Sequence, residues 1–317
     1  MLGYILALFL AFLSFEYAYY IIAKKLRIVD RPHHQSSHRG AVVRGGGSIF
    51  YFSFFLWSLY AGLPYVWTFI GLTLLAGISF FDDVRNVSPK VRLICQFVAI
   101  IMMLYQTPLF GQSFHVVILL AIACVGIINI YNFMDGINGM TGGYSLVVSL
   151  ALLWVNEYEV HFIDSDLLLF VIVAIIVFCL FNFRKRAWCF AGDVGSLSIG
   201  FILVFLVLEL ALKAKSMSWM VFLVVYGVDG GMTILHRLLL HENLMKPHKK
   251  HVYQIMANEL KIPHLLVSVS YMVLQAVCCV LFIVWPNYYT FFAEIIILMG
   301  AYMLFMREYY HLHRVSR

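Results

Sequence analysis

Four aspartates stand beside glycines or at the ends of long apolar runs. Asp82 and Asp83 lie in Phe80-Phe-Asp-Asp-Val-Arg-Asn86, Asp135 in Asn132-Phe-Met-Asp-Gly-Ile-Asn-Gly139, and Asp193 in Ala191-Gly-Asp-Val-Gly-Ser196. Basic residues gather in the same kind of place. They are Arg44 before Gly45-Gly-Gly47, the run Arg184-Lys-Arg186, His236-Arg237, and His248-Lys-Lys-His251. Carboxylates that can hold magnesium, together with Arg, Lys and His, are the usual equipment for binding and transferring a phosphorylated group. Adjacent carboxylates such as Asp82 and Asp83 resist joint ionisation unless a cation offsets them. A divalent metal would do so, as would a loop salt bridge to Arg85 or Lys90. Hard magnesium prefers oxygen over the paired histidines. The chain has no G-x-x-x-x-G-K-[ST] stretch, so an ATP-driven pump would lack its phosphate loop.

Asn132, Asp135 and Asn138 recur every three residues, which on a helical turn places them on one face. Gly136, Gly139, Gly142 and Gly143 leave room for phosphates or backbone to approach. The same residue types also cap helices and build turns, and Asp193 between two glycines has that alternative as well. Histidine and lysine around His248 and His251, with Arg237, suit a diphosphate or a developing phosphate charge.

The elements that must position these groups are membrane helices. Hydrophobic residues form 63% of the 317, and charged residues 12%. Soluble domains carry about 25% charged residues. A spanning helix needs about 20 apolar residues. Eleven spans are expected, at 1–23, 46–62, 64–80, 92–106, 113–131, 143–156, 165–181, 194–213, 216–234, 265–285 and 288–307. The fold class is all-α, a polytopic integral membrane protein of one domain, 1–317. The N-terminus has no basic leader or small-residue cleavage site, so the first helix is expected to be retained.

With the N-terminus outside, all of the 22 lysines and arginines except Lys213 and Lys215 fall on the cytosolic side. That asymmetry gives an N-out, C-in orientation with the polar loops facing the cytoplasm. It also makes the net charge of +6 a matter of topology, so no nucleic-acid partner is expected. Asp229 joins the aspartates near the inner end of its span, whereas Glu16, Glu209 and Glu294 lie within spans. The six cysteines form no C-x-x-C pair, and neither a disulfide framework nor a zinc site is expected.

Four of these loops, in order, resemble the polyprenyl-phosphate N-acetylhexosamine-1-phosphate transferases, glycosyltransferase family 4. Phe81-Asp-Asp-Val-Arg-Asn86 resembles the family's paired-aspartate loop. Asn132-Phe-Met-Asp-Gly-Ile-Asn-Gly139 is similar to its Asn-x-x-Asp-Gly core, Ala191-Gly-Asp-Val-Gly-Ser-Leu197 to its Gly-Asp-x-Gly-Ser-Leu segment, and Pro247-His-Lys-Lys-His-Val-Tyr-Gln254 to its terminal histidine motif. The His-Lys-Lys-His form departs from the three adjacent histidines of the phospho-muramoyl-pentapeptide branch. It looks more like the branch that starts O-antigen or other surface polysaccharides.

The resemblance implies transfer of an N-acetylhexosamine 1-phosphate, by default N-acetylglucosamine 1-phosphate, from a UDP-sugar to undecaprenyl phosphate with release of UMP. It implies Mg2+, or Mn2+ in its place, in a bacterial inner membrane. A homodimer would be in keeping with it. By position it makes Asp82, Asp83 and Asp193 the catalytic residues and Asp193, Asp83 and Asn132 the metal site. Asn132, Asp135, Asn138, His248, His251 and Arg237 would bind the substrate. The rival reading is a transporter or lipid-carrier flippase working through intramembrane carboxylates, but transporters place such groups near the midplane and often in repeats. Here they cluster at helix ends, and no repeat is visible.

Overall fold

A computed structural model describes residues 2–30, 41–111, 113–243 and 249–309. His248 and most of the first loop, 31–40, lie outside them. Each apolar stretch satisfies its backbone polar groups internally as a helix, as a spanning segment in lipid must. In order these are α1 (Leu2–Lys25), α2 (Ser48–Tyr60), α3 (Val66–Val84), α4 (Pro89–Gln106), α5 (Phe114–Met134) and α6 (Met140–Tyr158), followed by α7 (Ser165–Asn182), α8 (Gly192–Lys213), α9 (Val224–Leu239), the short α10 (Val252–Gln254), α11 (His264–Val284) and α12 (Tyr288–Tyr309). A 3-10 turn, Met217–Leu223, leads into α9.

A helix stands at each of the eleven expected spans. Among the described residues nine helical segments are long and apolar enough to cross a membrane. The two that are not have visible reasons. α2 has only 13 residues. α6 begins Met-Thr-Gly-Gly-Tyr-Ser and buries this small, polar face inside the bundle instead of showing lipid an apolar one. The chain is an all-α, multi-pass membrane protein.

Local sequence sets the helix ends. Ser88 accepts from Val91 N–H at the start of α4, with Pro89 in the first turn, where a missing N–H costs nothing. Asp164 caps α7 in the same way. Gly139 enters α6 with φ +83, a conformation that favours glycine.

α8 is the central post. Every residue from Val194 to Leu208 is buried, and the helix packs on α2, α3, α5 and α6. Glycine makes these approaches close. A Cβ on Gly195 would stand 2.5 Å from the Cα of Gly47, and one on Gly71 of α3 would stand 2.7 Å from Ala99 O of α4. α1 lies against α7, α11 against α6, and α12 against α9. The outer helices α1, α11 and α12 leave large apolar side chains exposed, such as Leu10, Val280 and Ile297, as expected of lipid-facing surface.

Two short strands cross one end of the bundle. β1 (Val29–Asp30) pairs antiparallel with β2 (Val42–Val43). Val43 also bridges to Cys189 in parallel. The ladder continues as Phe190 N–H donates to Val43 O at 2.8 Å, Gly46 N–H to Phe190 O at 2.9 Å and Gly47 N–H to Ala191 O at 3.1 Å. That zip runs the Arg44–Gly47 segment beside the residues that open α8.

Candidate active site

The zip brings Arg44 to Asp193, and helix packing brings α3 and α4 to the same place. Asp82 and Asp83 occupy the last turn of α3, and Arg92 stands in the first turn of α4. Asp193 opens α8. Three stretches far apart in sequence, around Arg44, Asp82–Arg92 and Asp193, therefore meet at one end of the bundle.

Neighbouring residues on a helix point about 100° apart, and here that separates the two adjacent aspartates. The Asp83 side chain is 0% exposed. Its Oδ1 accepts from Asp193 N–H and its Oδ2 from Val194 N–H, both at 3.0 Å. Arg44 Nε adds an ion pair to Oδ1 at 2.7 Å. Asp83 thus caps the first turn of α8, where unpaired N–H groups and the helix dipole favour an anion. A Cβ on Gly192, whose φ is +72, would lie 2.5 Å from Asp83 Oδ2 and 2.8 Å from Gly45 N, so glycine keeps that cap open.

Asp82 and Asp193 keep some access, at 11% and 15% exposure. One nitrogen, Arg92 Nη1, is bonded by Asp193 Oδ2 at 2.6 Å and by Asp82 Oδ2. Asp82 Oδ1 is held by Val87 N–H at 2.7 Å, and Asp193 Oδ1 faces Arg44 Nη2 at 3.4 Å. Three carboxylates and two guanidiniums share this small volume. Burial weakens the charge on Arg44, but Asp83 and Asp193 more than compensate and hold its pKa above the usual arginine value.

The Asn132–Asn138 turn lies alongside. Asn132 Oδ1 accepts from Ser196 Oγ at 2.7 Å, which ties it to the turn that bears Asp193. Asp135 Oδ1 accepts from Thr141 Oγ1 at 2.7 Å. Burial raises the Asp135 carboxyl to about 6, against the Thr141 hydrogen bond, and the nearby charge of Asp193 adds to the rise. Asn138 is turned inward. Its amide donates to Arg184 O at 2.9 Å and to Lys185 O at 3.3 Å, and so anchors the basic loop before α8. Asn182 supports the same corner by accepting from Gly139 N–H and donating to Cys189 O.

The histidine segment packs on the far side of that turn. His251 is 1% exposed and opens α10, where its backbone and that of Gln254 exchange reciprocal caps with the two side chains. Its Nδ1 lies 3.4 Å from Asp229 Oδ1. Arg237 is buried at the end of α9 and donates to Glu242 Oε2 at 3.1 Å and Asn243 O at 2.7 Å. Lys250 pairs with Glu242 as well. Burial opposes the charge on Glu242, but Lys250 and Arg237 hold its carboxyl below the usual glutamate value.

The expected site residues among those described therefore fall into two neighbouring groups, apart from Asn138, whose amide is turned to the Arg184 and Lys185 carbonyls. Asp82, Asp83, Asp193, Asn132 and Asp135 form one; His251 and Arg237 border it through α9 and α10. Arg44, which the sequence marked by the glycine run after it, and Arg92 complete the first group, although nothing in the sequence distinguished Arg92 from the other residues of a positively charged loop.

The family model for glycosyl transferase family 4 matches residues 65–211. That stretch contains all of α3 through most of α8, including Asp82, Asp83, Asp135 and Asp193. A protein of Bacillus subtilis (strain 168) named a probable undecaprenyl-phosphate N-acetylglucosaminyl 1-phosphate transferase is 26% identical over 255 residues, 73% of this chain and 70% of the relative. The undecaprenyl-phosphate alpha-N-acetylglucosaminyl 1-phosphate transferase of Escherichia coli (strain K12) is 31% identical over 210 residues, 59% of this chain and 56% of its own length. That of Yersinia pestis is 28% identical over 226 residues, 60% of its own length. The chain thus matches little more than half the length of these enterobacterial relatives.

Proposed function

We propose that this chain, which is similar to glycosyl transferase family 4 over residues 65–211 and to undecaprenyl-phosphate N-acetylglucosaminyl 1-phosphate transferases, is a polyprenyl-phosphate hexosamine-1-phosphate transferase that transfers an N-acetylhexosamine 1-phosphate from a UDP-sugar to undecaprenyl phosphate and releases UMP. N-acetylglucosamine 1-phosphate is the default group. The chain works as one transferase domain at the cytoplasmic face of a bacterial inner membrane. The relatives' names support the sugar phosphate and the lipid, and the lysine and arginine asymmetry supports the orientation. One observation carries the reading to these residues. Asp82 and Asp193, from different helices, turn one carboxylate oxygen each onto a single cationic atom, Arg92 Nη1.

The same observation tests the fit of magnesium. The donor set is all oxygen, as this ion prefers. Two carboxylates already share one positive centre, and Asn132 is tied to the same turn of α8. Among the described residues no three His, Cys, Asp or Glu side chains are arranged to hold a metal ion by themselves. That suits an ion which takes its remaining positions from phosphates and water. Asp193 and Asp82 would hold it, with Asn132 beside them, whereas both oxygens of Asp83 are engaged by α8 and Arg44. Bound there, magnesium would neutralise charge on the donor's diphosphate.

An oxygen of the lipid phosphate attacks the phosphorus that carries the sugar. The bond from that phosphorus to the bridging oxygen breaks, and UMP leaves with the electron pair. The acceptor is already anionic near pH 7, so Asp82 need not remove a proton. Its bond to Val87 N–H fixes its orientation, and it aligns the attacking group. Arg44 and Arg92 stabilise the charge that develops, from positions set before the reaction. Asp135 and Asn132 line the donor side.

The test uses purified protein in detergent with undecaprenyl phosphate, magnesium and a panel of UDP-N-acetyl sugars, following UMP. Release that needs the lipid, stops with EDTA and occurs with one sugar supports the reading and names the donor. Folded protein that binds a UDP-sugar but forms no UMP with any lipid phosphate would overturn it in favour of transport.

A further inference from the structure

The buried carboxylate of Asp229, on α9, has no part in the reaction above, yet donors from three helices meet on it. It is 4% exposed. Tyr271 Oη of α11 donates to its Oδ2 at 2.5 Å. Val252 N–H, in α10, donates to Oδ1 at 3.1 Å, and Thr233 Oγ1 to the same oxygen at 3.3 Å. His251 Nδ1 stands 3.4 Å away. Thr233 in turn meets Tyr302 Oη of α12 at 3.2 Å. Donors from α9, α10 and α11 thus converge on one side chain.

Only a carboxylate can accept from all of them. An asparagine amide would keep one acceptor oxygen and turn its N–H groups toward other donors. What Asp229 holds is also specific. It fixes His251 and Val252, the residues that open α10. The next residue, Tyr253, donates from Oη to Phe133 O at 2.7 Å. A Cβ on Gly136 would collide with that same hydroxyl. Phe133 and Gly136 lie inside the Asn132–Asn138 turn, so the order is Asp229, α10, Tyr253, donor-side turn.

We propose that Asp229 is a positioning residue for the nucleotide-sugar donor, acting through α10 and Tyr253 on the turn that carries Asn132 and Asp135. The inference rests on the transferase reading and deepens it. A carboxylate that merely braced helices would affect donor and lipid alike. A carboxylate acting along this path affects the donor.

The test measures steady-state kinetics of Asp229→Asn, Tyr253→Phe and the double variant, varying UDP-sugar and undecaprenyl phosphate separately. Both single variants should raise KM for the UDP-sugar, by about tenfold or more for Asp229→Asn, while KM for the lipid stays within about twofold. The double variant should be no worse than Asp229→Asn, because both changes break one path. UMP binding by calorimetry should weaken in parallel. Equal rises in both KM values, a fall in kcat alone, or additive losses would overturn the proposal. If Asp229→Asn does not fold, Tyr253→Phe, which loses one hydroxyl, decides on the same criteria. Wild-type protein that neither turns over UDP-sugar nor binds UMP would sink the transferase reading and this inference with it. Active wild type with unaltered variants would sink the inference alone.

Discussion

The carboxylate of Asp83, in the last turn of α3, accepts a hydrogen bond of 3.0 Å from the backbone N–H of Asp193, in the first turn of α8. One aspartate holds the helix end from which the other projects. The two should therefore fail differently. Asp83→Ala removes a cap and leaves Arg44 without its nearer carboxylate, so it should cost about 1–2 kcal/mol of stability, read as a lower unfolding temperature in detergent. Asp193→Asn removes a charge from a crowded acidic cluster. It should leave the unfolding temperature unchanged or higher, while UMP release falls about 100-fold or more. Matching losses of stability in both would contradict the division of roles.

Glycine substitutions at the zip and on the open face of α3 should differ in sign. A Cβ on Gly47 would meet the backbone of Gly195 and stand 2.9 Å from Ala191 O, and neither can swing aside. Gly47→Ala should destabilise by about 1–3 kcal/mol. Gly77 in α3 has no atom within 4 Å of its would-be Cβ. Gly77→Ala should be neutral or stabilise by up to about 1 kcal/mol. Thermal unfolding of the two purified variants compares them directly.

These contrasts show what sequence could and could not reveal. Every expected span became a helix because apolar length is a local property, and lipid leaves the backbone little choice. The aspartate and asparagine motifs were legible for a similar reason, since acids and glycines at the ends of apolar runs are costly unless used. The division between Asp82 and Asp83 was not legible. It depends on which helix end lies opposite each, and that is a tertiary fact. Arg44 was marked by the glycine run that follows it, whereas Arg92 was hidden among residues that the topology already explained. Asn138 shared the spacing of Asn132 and Asp135, yet its amide supports the backbone of Arg184 and Lys185, because the chain leaves the helical turn before reaching it.

Asp135 gives the site a pH dependence whose sign can be worked out. Its carboxyl is raised to about 6, chiefly by burial. The folded chain therefore favours the protonated form. The resulting stabilisation is full below the ordinary aspartate value near 4 and is lost as pH rises through about 6. Asp135→Asn should raise the unfolding temperature above wild type at pH 7.5 and not at pH 4. Donor affinity should run the other way. With the ionised form as the one that serves the donor, the wild-type KM for UDP-sugar should rise as pH falls through about 6, and the Asn variant should lose that step. An unchanged pH profile in Asp135→Asn would remove Asp135 from the donor site.

Arg92 occupies the position where Asp82 and Asp193 would hold magnesium, so arginine and metal should compete. The Arg92 guanidinium offsets two carboxylates that would otherwise repel. Magnesium binding must draw Arg92 away from at least one of them, and that lowers the apparent affinity for the ion. Arg92→Gln keeps much of the side-chain length and removes the charge. The metal-free variant should unfold at a lower temperature than wild type, because its carboxylates lose their counterion. Added magnesium should restore more stability to the variant, and half the effect should appear at a severalfold lower concentration. Thermal unfolding against a magnesium titration reads both quantities without any turnover. UMP release should fall in the same variant, because a charge placed to meet the transferring phosphate is gone. If wild type and Arg92→Gln show the same magnesium midpoint, the ion binds elsewhere and the carboxylate pair must be reassigned.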